Sequence, residues 1–211
     1  MSARATPDLV IRAADRGEIP SLERLIASSA RALGQGYYSD AETEAAIAHV
    51  FGVDSDLVDD GSYLVATDAD GRLLGCGGWS RRRTLFGGDN FAGRTPGFLD
   101  PAEDAARIRA FFVAPGAARM GIASALLAEC EQRAAAMGFT RMALMATLPG
   151  VPFYAARGYV EGETIRQQCG DVAVRFISMS KTMADTATRS AVRADSFFGE
   201  AMHRERAEPT G

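Results

Sequence analysis

A chain of 211 residues, 47% hydrophobic and 24% charged, has the composition of one ordinary globular domain. It is long enough to bury about 70% of its unfolded surface without staples. Its net charge of −4 argues against nucleic acid or an anionic membrane as the main partner. Cys76, Cys130 and Cys169 are odd in number, and His49 and His203 lie far apart, so neither a disulfide framework nor a metal-ligand cluster is expected. No apolar run approaches a membrane span and no signal-peptide pattern opens the chain, which makes a cytoplasmic protein with free thiols the expectation.

In chain order, Leu9 to Arg12 reads as a short strand. A helix begins near Ile19 with Pro20 in its first turn, where proline is tolerated, and with Leu22, Leu25 and Ile26 as its stripe. Ala41 to Phe51 reads as a second helix. Ser62 to Thr67 and Arg72 to Ser80 form a hairpin around Asp68-Ala-Asp-Gly71, with glycines at 75, 77 and 78 suggesting a bulge. Arg83 to Asp104 has no period. It is either a binding loop or lid, or a disordered insertion. Ala105 to Val113 is a strand, and Ile122 to Met137 a helix stopped by Gly138. Phe139 to Thr147 is a strand and Pro152 to Arg157 a short helix. Tyr159 to Gln168 and Val172 to Lys181 make a last hairpin. The fold class is therefore α/β, an α+β mixed sheet in a single domain over residues 8–182, with a polar tail at 183–211.

The stretch between the strand ending at Val113 and the following helix carries the functional signal. The first N–H groups of a helix lack internal partners and face outward at the positive end of its dipole, an anion site worth about 0.3–1 kcal/mol per exposed charge. Ala117, Ala118, Gly121 and Ala123 leave the approach open, and Arg119 adds a cation. The same small residues would serve close strand–helix packing. The Walker GxxxxGK[ST] and Rossmann GxGxxG patterns are both missing.

Val113-Ala-Pro115, then Ala118-Arg-Met-Gly121-Ile-Ala123 and an amphipathic helix, resembles the acyl-CoA signature of the GCN5-related N-acetyltransferase (GNAT) superfamily, V-x-P followed by R/Q-x-x-G-x-G/A. Alanine stands where the signature has its first Arg or Gln, with arginine one place later. Phe153-Tyr154-Ala-Ala-Arg-Gly158-Tyr159 resembles the family's second motif. Thr147 stands in place of its frequent asparagine. The resemblance covers residues 8–182 and implies a GNAT-type acyl-CoA N-acyltransferase fold, with a mixed sheet splayed in the middle.

It also implies an acetyl-CoA-dependent N-acetyltransferase that moves an acetyl group directly to an amine through a tetrahedral intermediate. The cofactor-binding residues carried over are Phe111, Phe112 and Val113 for the pantetheine and thioester, through the strand backbone. Ala118, Arg119, Met120, Gly121, Ile122, Ala123 and Ser124 are carried over for the pyrophosphate. Tyr154 takes the family's role of general acid to the departing thiolate. Taken alone, it would also fit as a packed core aromatic.

The strand position where many relatives carry a glutamate base offers only Arg107 and Arg109, and arginine is no base at neutral pH. Asp89, Asp100, Glu103, Asp104, a water chain or an acceptor of low pKa remain open as alternatives. Arg81-Arg82-Arg83 reads either as an anion-binding cluster or as a solvated strand end. Trp79 reads either as an aromatic wall or as core. The expected partners are acetyl-CoA and an amine, with the net negative charge suiting a cationic acceptor. A second copy of the chain stays open as a partner. The rival reading is a non-catalytic acyl-CoA sensor that keeps the fold and lacks the chemistry.

Overall fold

A computed structural model describes residues 9–183. The expected tail at 184–211 lies outside them. The elements in order are β1 (Val10–Ala13), α1 (Ile19–Leu33), α2 (Asp40–His49), α3 (Ser55–Asp59), β2 (Tyr63–Thr67), β3 (Leu73–Ser80), β4 (Ala106–Val113), α4 (Ile122–Ala136), β5 (Arg141–Thr147), α5 (Val151–Ala155), β6 (Val160–Cys169) and β7 (Val172–Thr182). The strands form one seven-stranded sheet in the order β1-β2-β3-β4-β5-β7-β6. All neighbours are antiparallel except β4 and β5, which α4 connects as a parallel crossover.

Local chemistry sets the element ends. Asp15 and Glu18 form a capping box ahead of α1, and Ser39 and Glu42 another at the start of α2. The second helix stops at His49, short of the expected Phe51. Val50 leaves helical geometry, so that its carbonyl and that of Val53 can accept from the N–H groups of Gly88 and Asp89. Helix α3 went unforeseen. It is five residues long, capped by Asp54, and too short to show a period.

Two hydrophobic clusters fill the two faces of the sheet. One gathers Leu22 and Ile26 of α1 and Ala46 of α2 with Phe51, Tyr63 and Phe176. The other gathers Leu126, Leu127 and Cys130 of α4 with Trp79, Ile108 and Tyr154. The expected bulge lies at Gly77, where the β3–β4 register shifts and Ala110 and Phe111 stand opposite this single residue. A Cβ on Gly77 would sit 2.4 Å from the Phe111 ring. Gly77→Ala should therefore lower stability by about 1–3 kcal/mol through overpacking, read as a reduced urea midpoint with an unchanged slope.

Candidate active site

Strand β5 pairs with β4 only at Ala106↔Met142 and Arg107↔Ala143. Beyond those pairs the strands diverge, and the β5-facing edge of Ile108–Val113 has no ladder partner. A cavity of about 810 Å³ occupies the wedge and reaches both faces of the sheet. That volume lies within the range of small-molecule sites.

On the α4 face the cavity is bounded by the turn that the sequence singled out. Ala118 is extended, and Arg119 (φ 67°) and Gly121 (φ 82°) are left-handed. This geometry leaves the N–H groups of residues 119–124 without an acceptor among the described residues. A Cβ on Gly121 would meet nothing within 4 Å, so the approach to these groups is open. Arg119 and Arg157 both line this end. Arg157 stacks 3.9 Å from the Phe153 ring centroid and donates to the Ser124 hydroxyl and to the Phe153 carbonyl. Its role was not foreseen, because in the second motif it occupies a spacer position.

Tyr154 also lines the cavity, with its ring held edge-on between Phe153 (5.0 Å) and Tyr159 (5.5 Å). Its hydroxyl has no hydrogen-bond partner among the described residues. Burial pushes its phenol above the ordinary value, and nearby Cys130 acts in the same sense, so the group is protonated at neutral pH.

The bulge positions β4 over the cavity. Ala110 takes φ 50°, an uncommon conformation for alanine, and its carbonyl accepts from the buried Tyr63 hydroxyl at 3.3 Å. Phe111 and Val113 pack on the α4 face, and Ala110 and Phe112 on the α1/α2 face. The strand thus presents side chains to both halves of the cavity.

The α1/α2 half is walled by rings. Phe51 lies 5.3 Å from Phe112 and 6.1 Å from Phe176, and Phe86 lies 5.7 Å from Phe176. Phe86 comes from the 83–104 loop, which therefore borders the site as a binding loop would, with Phe86 and Gly87 in the lining. Buried charge anchors it. Arg109 donates to Asp54 (2.8 Å) and to the carbonyls of Thr84 (3.0 Å) and Gly87. Arg94 reaches Asp54, Asp56 and Asp89. The Arg109 and Asp54 side chains are each 1% exposed. Removing one partner of such a pair strands the other, so Asp54→Ala should cost about 3–5 kcal/mol in urea unfolding. Replacing Asp54 and Arg109 together by apolar residues should cost less than Asp54→Ala alone.

Of the expected cofactor-binding residues, Phe111, Phe112, Val113, Ala118, Arg119, Gly121, Ile122, Ala123 and Ser124 all line the cavity. Met120 departs from this set. Its side chain packs against the α4-side core, which leaves only its backbone facing the turn. Asp89, Asp100, Glu103 and Asp104 do not line the cavity. Asp89 pairs with Arg94, and the Asp100 and Asp104 carboxylates bind backbone N–H groups within their own turn. Arg82 is paired with Asp60 and stacks with Arg81 on Phe98, so this cluster is a strand end away from the site. Trp79 is core, packed on Phe139 at 6.3 Å. Glu23 was overlooked in the sequence. It is half-buried and accepts from the Val53 N–H at 2.7 Å behind Gly52, and burial raises its carboxyl from the ordinary value. Among the described residues no carboxylate lines the cavity, so they give it no acidic wall. Among the described residues no cluster of three or more His, Cys, Asp or Glu could hold a metal ion, and no helix is long and apolar enough to cross a membrane.

A sequence profile of the acetyltransferase (GNAT) family matches residues 24–159. No curated protein sequence matches the chain. Among solved structures, it is similar to the GCN5-related N-acetyltransferase of Rhodopseudomonas palustris at 19% identity and a TM-score of 0.62, over 87% of this chain and 99% of that one. It is also similar to the PaiA N-acetyltransferase of Thermoplasma acidophilum in complex with coenzyme A, at 16% identity and a TM-score of 0.55, over 83% and 99%. A third is a GCN5-related N-acetyltransferase of Kribbella flavida, at 21% identity and a TM-score of 0.53, over 83% and 98%. At these identities the likeness is one of fold.

Proposed function

The chain belongs to the acetyltransferase (GNAT) family, and from that premise we propose that it transfers an acetyl group from acetyl-CoA directly to a primary amine, using a domain that spans residues 8–182. One observation carries the assignment of the site. A single cavity joins an anion-ready turn, an unpaired strand edge and a protonated tyrosine with a free hydroxyl. The N–H groups of residues 119–124, flanked by Arg119 and Arg157, match a pyrophosphate in charge and donor geometry. The free edge of β4 offers backbone partners to the amides of a pantetheine arm, in the manner of an added strand.

In the reaction, the amine nitrogen attacks the thioester carbonyl carbon. The C–N bond forms and the C–S bond breaks, giving an amide and free coenzyme A. The backbone N–H of Val113, which alternates away from β3 toward the wedge, serves the oxyanion, a donor commonly worth about 10²–10³ in rate. Tyr154 gives its proton to the departing thiolate, and the proton lost from nitrogen leaves to solvent. The unsatisfied Tyr154 hydroxyl favours this enzyme over a sensor that only binds the thioester.

Calorimetric titration of acetyl-CoA, followed by thiol release in the presence of amines, tests the reading. Saturable binding at a 1:1 ratio and amine-dependent release of coenzyme A are expected. No binding of acetyl-CoA or of coenzyme A would remove the assignment.

A further inference from the structure

Building on that reading, we infer that the acceptor is an arylamine: a primary amine borne on an aromatic ring, with no second charge, reacting as the neutral base. The α1/α2 half of the cavity is continuous with the splay and lies opposite the phosphate end, so it is the half left for the acceptor. Its wall is the row of rings formed by Phe112, Phe51, Phe176 and Phe86. At Leu33 and Tyr37 its rim carries no charge. Leu33 is 39% exposed and Tyr37 47%, and both face the opening. The Tyr38 hydroxyl is already used, accepting from the Leu148 N–H at 2.9 Å and donating to the Arg175 carbonyl at 2.6 Å, which leaves its ring to the cavity.

Charge decides between acceptor classes. Among the described residues, the charged ones that line the cavity are Arg119 and Arg157, both at the phosphate end. The acids behind the ring wall are engaged elsewhere, half-buried Glu23 with the Val53 N–H and buried Asp54 with Arg109 and Arg94. A polyamine would have to strip water from a second ammonium with no carboxylate to meet it. Contact with ring faces offsets only part of that cost. A peptide terminus would bring amide groups that the ring wall cannot satisfy. An arylamine brings neither burden. Its flat ring matches the wall, and its nitrogen is uncharged near neutral pH, so attack needs no protein base. The step balances without a further reactant: nitrogen gains the acetyl carbon and loses a proton to water, while sulfur gains the Tyr154 proton, which solvent restores.

The test is thiol release and product chromatography on the full chain with saturating acetyl-CoA, comparing 4-ethylaniline, phenethylamine, spermidine and a phenylalanine-led tripeptide. The kcat/KM for 4-ethylaniline should exceed that for spermidine and for the tripeptide by about 10²-fold, and should stay flat between about pH 6 and about pH 8. Phe86→Ala should raise the KM for 4-ethylaniline about tenfold and leave acetyl-CoA affinity unchanged. Leu33→Glu, at an exposed rim position that tolerates change, should shift the preference toward spermidine. A preference for phenethylamine, spermidine or the tripeptide overturns the inference and leaves acetyl transfer standing. So does binding of acetyl-CoA with no turnover of the arylamine. Failure to bind acetyl-CoA removes both readings.

Discussion

Gly121→Arg is expected to abolish measurable binding of acetyl-CoA and of free coenzyme A, a loss of at least about 10²-fold in affinity, while the far-UV spectrum stays that of the wild type. Gly121 caps α4 at φ 82°, where an L-residue pays about 1–2 kcal/mol. The helix then still forms, because nothing lies within 4 Å of the added Cβ. That open space is where a phosphate would meet the N–H groups of residues 119–124, and the arginine side chain would fill it with a guanidinium in place of an anion. Gly121→Ala separates the two contributions. It carries the same backbone strain without the obstruction, so its affinity should fall by no more than about tenfold. Calorimetry on the three proteins decides the matter. Near-equal affinities for wild type and Gly121→Arg would mean that the small residues serve only to pack β4 against α4.

Tyr154→Phe is expected to lower kcat by about 10²–10³-fold with acetyl-CoA affinity within about threefold of the wild type. The substitution removes one oxygen that has no hydrogen-bond partner among the described residues, so no bond is lost, and the ring contacts with Phe153 and Tyr159 remain. Stability should therefore be unchanged or slightly higher. Burial raises the Tyr154 phenol, which makes it a weaker acid in isolation. The same dry surroundings raise the proton affinity of a thiolate formed beside it, so the transfer becomes favourable only as the C–S bond breaks. Thiol release measured across pH on both proteins reads this out. A kcat within about threefold of the wild type would leave Tyr154 as a packing residue alone.

Contiguous features of the site could be read from the chain. The small residues of the turn, the strand before it and the helix after it occupy one stretch, Phe111 to Cys130, so spacing alone exposes them. The bulge could be anticipated from the glycines at 75, 77 and 78, although only the structure shows Ala110 and Phe111 as the pair it accommodates. The aromatic wall could not be read in this way. Phe51 follows a helix, Phe86 sits in an aperiodic loop, and Phe112 and Phe176 lie on separate strands. Nothing local distinguishes them from core phenylalanines until the fold brings them together. The charges were ambiguous for a related reason. Arg109 and Asp54 are 55 residues apart, and an arginine within a strand gives no sign whether it faces a ligand or a buried acid. Helix α3, which follows Asp54 and helps to hold that acid in position, is too short for any periodic signal.

The wedge between β4 and β5 has a consequence for the protein without its substrate. Among the described residues only Ala106↔Met142 and Arg107↔Ala143 stitch strands β1–β4 to strands β5–β7, so the molecule carries an open seam inside its own β-structure. Unpaired strand backbone is a template for foreign strands, and most proteins keep theirs at the periphery, guarded by charge or proline. Here the exposed edge runs through Phe111, Phe112 and Val113. A pantetheine arm lying in the seam would act as its missing strand, and a ligand held at 100 times its dissociation constant adds about 2.7 kcal/mol to folding. Acetyl-CoA would then be both reagent and structural filler, and depletion of the thioester pool would expose the enzyme to misassembly as well as idle it.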